Sequence, residues 1–316
     1  MIYKTQGSYY IDPTTDYGFK RIFGSEVNKD LLIAFLNGLF RGRKVILDLR
    51  YNKNEHVGDT QSDGNVIFDL SCTATNGEQF IIEVQRTHQR HLKRRMLYYA
   101  SKLIADQAPK GDRKAWAYAI SEVYVIALLE RFNLPGEEDS PDFLHDVCLC
   151  KRESGKIFYE HLGFIYIELT KFVKEEAELA SDLDRWLYVL KNMTRMNKLP
   201  VYFRKPVFKK LFKIAQYSTL NKEEQEMYNR SLRNKWDLYA IRETQLFEMK
   251  EAREQGLAEG ETKGREEGRQ EGLAEGLAEG RREEAIAIAL ELKKEGLSTD
   301  FIAKTTKLSK EEIEKL

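Results

Sequence analysis

The chain predicts an α/β fold that leads into a helical region and a long C-terminal helical tail. Three observations predict it. Residues 65–85 alternate apolar and polar in two runs separated by Thr75-Asn76-Gly77, which marks two strands and a turn. Residues 123–129, VYVIALL, are continuously apolar, as in a strand buried on both faces, and they follow a stretch of helical periodicity. Beyond Thr170 the apolar spacing becomes helical, and seven glycines recur every fourth residue from Gly256 to Gly280.

The two alternating runs set a register. Phe68, Leu70, Cys72 and Ala74 are apolar, as are Phe80, Ile82 and Val84, so the expected core-facing positions are even-numbered in both runs. Antiparallel partners share a face, so paired numbers must sum to an even value. A two-residue Asn76-Gly77 turn would pair Thr75 with Glu78, an odd sum. The expectation is a three-residue loop, Thr75-Asn76-Gly77, with Gly77 left-handed. Asp69 then lies opposite Glu83 or diagonal to it, on the face away from the apolar core, with Gln85 beside both. Cross-strand Cβ atoms stand roughly 5 Å apart. Two carboxylates that close repel unless a cation or proton lies between them. Spacing alone leaves two readings open, a solvated polar face or an oxygen-rich pocket for a hard divalent ion. A lysine or arginine filling the gap as a permanent counter-ion would remove the second.

The elements before the hairpin read in order. Asp16 is an expected N-cap, with Phe19 and Phe23 on one helix face. Residues 27–40 form a second helix, apolar at Leu31, Leu32, Phe35, Leu36 and Leu39, that stops before Gly42. Residues 45–51 are the first strand. Residues 52–64 read as a polar loop with Gly58 and Gly64 as breakers, and it places Glu55 and His56 at the surface.

After the hairpin, residues 86–95 carry five basic side chains and no acid. They open a helix reaching about Ala108, with Leu97, Ala100, Leu103 and Ile104 as its expected core stripe. His88 and His91 have no evident third ligand, so no zinc site is expected. Residues 143–150 and 156–159 read as a short strand pair, and 164–169 as a further strand. Cys148 and Cys150 are expected as buried small hydrophobes.

Residues 185–222 hold ten basic side chains and no acid, with Tyr202, Phe203, Phe208, Phe212 and Tyr217 interleaved. The aromatics are expected in the core; the basic side chains form either a solvated face or one along which DNA lies. In residues 255–280 glutamate and arginine fill the gaps between glycines, which excludes a membrane span. Each glycine costs a helix about 1 kcal/mol relative to alanine. A charged, marginal helix or tether is expected there, with self-association into a homo-oligomer as the other reading. Residues 283–295 form a helix that Gly296 closes; Ser298 caps a second helix, and Ser309-Lys-Glu-Glu312 is a capping box for a third.

Composition sets outer limits. The chain has 316 residues, 42% hydrophobic, enough for a sizeable core and about two domains. Its 51 basic and 51 acidic residues cancel, so a globally basic nucleic-acid binder is excluded and local distribution matters more. Three cysteines without a C-x-x-C fit a reducing cytoplasm better than a disulfide scaffold. Residues 1–7 are no signal peptide, and no apolar run reaches membrane-spanning length.

Asp69-Leu70, thirteen residues, then Glu83-Val84-Gln85 resembles the PD-(D/E)XK nuclease pattern. More narrowly, the chain is similar to the recombination-promoting nuclease/transposase family, in which glutamine replaces the lysine of E-x-K. The likeness extends upstream over Asp16-Tyr-Gly-Phe-Lys-Arg-Ile-Phe-Gly24 and downstream over Arg95-Met-Leu-Tyr-Tyr-Ala100. It implies a restriction-endonuclease-like core, a mixed sheet flanked by helices, that cuts DNA with Mg²⁺ or Mn²⁺. Asp69 and Glu83 would hold the metal with the backbone carbonyl of Val84. Gln85 would position water or a phosphate oxygen. Asp16 could add a carboxylate, as first-helix acids do in that superfamily. Arg86, Arg90, Lys93 and Arg94 would contact DNA phosphates. The alternative is a catalytically degenerate nuclease fold that binds DNA or a protein partner. Strand joining has no support in the residues beyond the family's name. The expected divisions are 1–170 nuclease-like, 171–245 helical and basic, 246–282 the glycine repeat, and 283–316 a small helix-turn-helix-like module.

Overall fold

The computed structural model describes residues 8–52, 55–56, 66–109 and 116–316. In chain order the elements are α1 (Asp16–Phe23), α2 (Lys29–Phe40), β1 (Leu49–Tyr51), β2 (Glu55–His56), β3 (Val66–Ile67), β4 (Leu70–Ala74), β5 (Gln79–Gln85), α3 (Leu92–Asp106), β6 (Val123–Leu129), β7 (Leu144–Cys150), β8 (Ile157–Glu168), α4 (Asp182–Asn192), α5 (Pro206–Ile214), α6 (Lys222–Lys294), α7 (Thr299–Thr306) and α8 (Lys310–Lys315). The chain divides into two compact units, Met1–Arg242 and Glu243–Leu316.

The first unit is built on a six-stranded mixed sheet of order β1-β4-β5-β6-β8-β7. The β1, β4 and β5 ladders are antiparallel; β5, β6 and β8 run parallel, and β7 closes the far edge antiparallel to β8. The hairpin has the register expected of it. Leu70 pairs with Ile82 and Cys72 with Phe80, and the Ala74 N–H donates to the Glu78 carbonyl across a three-residue loop. Gly77 has φ +91°, a conformation that costs any residue with a Cβ.

Both faces of this sheet are covered. Even positions Leu70, Cys72, Phe80, Ile82, Tyr124, Ile126 and Leu128 pack with α1, α2, α4 and α5 around Trp186. Odd positions Ile81, Val123, Val125, Ala127 and Leu129 pack under α3 through Leu92, Met96, Tyr99, Ala100 and Leu103. Each such side chain contributes about 1.5–3 kcal/mol by leaving water. The hairpin's polar face is therefore not solvated: Ser71, Thr73, Glu83 and Gln85 are all buried. Phe68, expected with the even set, lies before β4 begins and packs on the α3 side.

Other elements differ in detail. Thr15, not Asp16, caps α1, its Oγ1 accepting from the Gly18 N–H at 3.0 Å, while Asp16 pairs with Lys20. Ala100 and Leu103 of the expected α3 stripe are buried, but Leu97 is exposed, because the stripe continues through Met96 and Leu92. Strand β1 spans only Leu49–Tyr51. Glu55 and His56 form β2, paired with β3, rather than a loop. Residues 57–65, with Gly58 and Gly64, and residues 1–7 lie outside the described residues. The two short strands expected at 156–159 and 164–169 are one twelve-residue strand, β8. Cys150 is exposed and Cys148 half-buried, because β7 is the sheet's edge and pairs there with the outer half of β8. Phe203, Phe208 and Phe212 are in the core, whereas Tyr202 is exposed.

In the second unit, residues 243–287 of α6 are almost wholly exposed, and no glycine Cβ from Gly256 to Gly280 would touch anything within 4 Å. Helix α6 ends at Lys294 and Gly296 has φ +79°. Ala289, Ile302 and Ile313 then form a small core with α7 and α8, and the Ser309–Glu312 capping box is present. Among the described residues no helix is long and apolar enough to cross a membrane.

Candidate functional site

Strand β5 ends in Glu83-Val84-Gln85, and Asp69 immediately precedes β4, so the hairpin register brings the two acids to the same rung. Each carboxylate accepts from a backbone N–H of the opposite strand segment. The Asp69 N–H donates to Glu83 Oε1 at 3.1 Å, and the Val84 N–H donates to Asp69 Oδ2 at 2.8 Å. Glu83 is 1% exposed and buried beneath α3. Burial, then the charge of Asp69, pushes its carboxyl up to about 7, against the opposing pull of Arg95.

Gln85 is buried beside the pair. Its Nε2 donates to Glu83 Oε2 at 3.0 Å, and its Oε1 accepts from Arg95 Nη1 at 3.3 Å. Glutamine can do both because its amide carries a donor and an acceptor; a lysine would offer donors alone.

Sequence reasoning missed Arg95. Helix α3 aims it at the pair, with Nη2 3.0 Å from Glu83 Oε2. Its Nη1 also donates to Gln89 at 2.7 Å, and its Nε donates to the Tyr99 hydroxyl at 2.6 Å. Arg95 and Tyr99 sit four apart on one helix face, which is the signal that could have found them. An arginine therefore stands against one of the two acids, on the oxygen that also accepts from Gln85.

The expected DNA-contact residues divide. Arg90, Lys93 and Arg94 are exposed around the start of α3. Arg86 instead turns toward the N-terminal segment, where its Nε donates to the Thr14 carbonyl at 2.7 Å. Asp16 is engaged with Lys20 at 2.8 Å rather than with the acid pair. Of the ten basic residues in 185–222, Arg185 and Lys205 pair with Asp182, Lys210 pairs with Asp30, and Lys191 donates to the Phe172 carbonyl. Among the described residues no group of three or more His, Cys, Asp or Glu side chains forms a metal cluster.

A mixed sheet covered on both faces, with two carboxylates interlocked at the mouth of its central hairpin, defines a protein of the restriction-endonuclease-like class. The chain belongs to the PD-(D/E)XK nuclease family transposases, whose family model matches residues 13–245. No curated protein and no solved structure matches it.

Proposed function

We propose that this chain is a metal-dependent DNA endonuclease with Asp69, Glu83 and Gln85 at its centre. The observation that carries the proposal is the interlock of the two acids with the hairpin backbone, Asp69 N–H on the Glu83 carboxylate and Val84 N–H on the Asp69 carboxylate, with Glu83 pushed up to about 7 by its burial and its neighbour. Such a pair keeps an excess of negative charge that a hard cation relieves. The available donors are all oxygens: two carboxylates, the Gln85 amide and backbone carbonyls, a set that suits Mg²⁺ or Mn²⁺. Arg95 relieves part of the same charge, so the residues fit the ion on condition that Arg95 gives up Glu83 Oε2.

When bound, the ion supplies a Lewis acid at the scissile phosphate and lowers the pKa of a water. Asp69, Glu83 and the Val84 carbonyl would hold it. Gln85 keeps the Glu83 carboxylate in one orientation and can turn its amide to a water or phosphate oxygen. Arg90, Lys93 and Arg94, exposed at the start of α3, would neutralise backbone phosphates. Free thiols at Cys72, Cys148 and Cys150 suit action in the cytoplasm, and the word transposase in the family's name suggests recombining or mobile DNA as the substrate.

The second reading is a degenerate nuclease fold that grips DNA without cutting it. The Arg95–Glu83 ion pair favours it, because a settled counter-ion removes the need for a metal. One experiment separates the two. The full chain with Mg²⁺ should nick supercoiled plasmid and stop on addition of EDTA, and Asp69→Ala should cut at least about 100-fold more slowly. Equal rates in Asp69→Ala and wild type rule out the assignment. Salt-sensitive binding with no nicking, indifferent to Mg²⁺ and to Asp69, establishes the second reading.

A further inference from the structure

A cavity of about 860 Å³ opens between α1 and the first turns of α6, lined among others by Lys20, Arg21, Arg86, Arg230 and Lys235. Five cations face two acids, Asp16 and Glu224, on its wall. Most of these cations are already engaged. Lys20 pairs with Asp16 at 2.8 Å, and Arg21 pairs with Glu224. Lys235 is buried between Asp12 at 2.6 Å and Glu130 at 2.5 Å.

Two are not so matched. Arg86 spends its Nε on the Thr14 carbonyl, yet its Nη2 is buried with no hydrogen-bond partner among the described residues. Buried guanidinium donors are rarely left unmet, and a partner missing from a protein's own groups points to a ligand. Arg230, exposed on α6 at the same cavity, has no ion pair among the described residues. Arg86 also follows Gln85 directly, and its charge is felt at Glu83. The cavity therefore reaches Arg86, three residues beyond Glu83 along the chain and close enough to act on its charge.

We propose that this cleft is a phosphate subsite: the Arg86 guanidinium, by turning its unmet Nη2 into the cleft, and Arg230 receive a phosphodiester of the DNA strand flanking the one at Asp69 and Glu83. Arginine suits the task because its planar fork matches two phosphate oxygens at once. Tyr17, Ile214, Met227 and Leu238 line the same cleft and offer an apolar wall to the attached sugar or base. The proposal rests on DNA being the substrate, and it adds where a second phosphate is held.

The test uses the full chain in EDTA, so no strand is cut. Short fluorescent duplexes carry one neutral methylphosphonate linkage at successive positions, and affinity is read by anisotropy. Wild type should lose about tenfold at one linkage, the expected worth of one charge-assisted contact. Arg86→Gln should bind unmodified DNA about tenfold more weakly, lower the salt slope by about one, and ignore that linkage. Arg230→Gln, on an exposed helix surface, should show the same loss at that linkage or its neighbour, and it decides the matter if Arg86→Gln does not fold. Identical position profiles in wild type and Arg230→Gln overturn the proposal. So does displacement of DNA by thymidine monophosphate without any position effect, which would assign the cleft to a free nucleotide. A chain that shows the position effect but never nicks plasmid sinks the endonuclease reading and keeps the subsite. Nicking that needs Mg²⁺, with no position effect, does the reverse.

Discussion

Arg95 Nη2 lies 3.0 Å from Glu83 Oε2, joining a side chain one third exposed to a carboxylate that is almost wholly buried. The arginine stands at the rim and the acid below it. A cation that leaves toward solvent can be exchanged for another that arrives from solvent, so this ion pair is where the two functional readings part.

Replacing Arg95 by alanine tests the exchange directly. Arg95 pulls the Glu83 carboxyl down, so without it the carboxyl should titrate above about 7, followed by carboxyl carbon NMR. At pH 8.5, where Glu83 is ionised, Mn²⁺ should bind several-fold more tightly to Arg95→Ala than to wild type by calorimetry. Weaker binding would show that Arg95 supports the metal site. Stability of the metal-free protein at pH 8.5 should fall by about 1–3 kcal/mol, because a buried carboxylate loses its partially exposed counter-ion.

The raised Glu83 carboxyl also makes stability depend on pH. Its ordinary value is 4.5 and the folded value is about 7, so between the two the folded chain holds more protons than the unfolded chain. The contribution is fully present below about pH 4.5 and is lost as pH rises through about 7. Urea unfolding of the metal-free protein should show wild type losing on the order of 3 kcal/mol more than Glu83→Gln between pH 5 and pH 8. Parallel pH curves for the two would remove Glu83's perturbed titration. Divalent-ion affinity should rise over the same window, since the ion competes with the proton.

Gly163 tests the packing that carries β5 and β6. A Cβ there would sit 2.6 and 2.7 Å from two carbons of the Tyr124 ring, which is itself stacked against Phe80 on β5. Gly163→Ala should cost about 1–3 kcal/mol in denaturant unfolding. Adding Tyr124→Leu should recover part of the loss, because the clash is with the ring. No loss in the single variant would mean that β8 carries slack here.

The glycine repeat gives the opposite expectation. Each Cβ added from Gly256 to Gly280 meets open space, so Gly264→Ala with Gly268→Ala should stabilise the helix by about 1 kcal/mol each, read by circular dichroism. If helicity or thermal stability falls instead, the glycines are packing against another copy of the chain, and sedimentation of the two proteins should then differ.

The hairpin shows what can be read without coordinates. Apolar side chains at even numbers in both runs demand an even pairing sum; that arithmetic puts Asp69 opposite or diagonal to Glu83 and turns the chain at Gly77, and the Leu70–Ile82 pairing settles on the opposite position. The strand at 123–129 was legible for the same reason: an uninterrupted apolar run has no face to offer water. The errors are those of local pattern. A cap chosen by residue type fell on Asp16 rather than Thr15, and the stripe of α3, right at Ala100 and Leu103, took in Leu97 where Met96 is the buried residue.

What the amino-acid order determined by itself was the strand register, because alternation along a chain is a local property and pairing must respect it. Tertiary structure alone decided that the polar side of that hairpin is covered by α3, that Glu83 is buried there, and that Arg95 meets it while Arg86 turns to Thr14. Those facts depend on which surfaces come together across tens of residues. Burial and opposing charge, the two forces that shift a carboxyl, act through space and leave no periodicity along the chain.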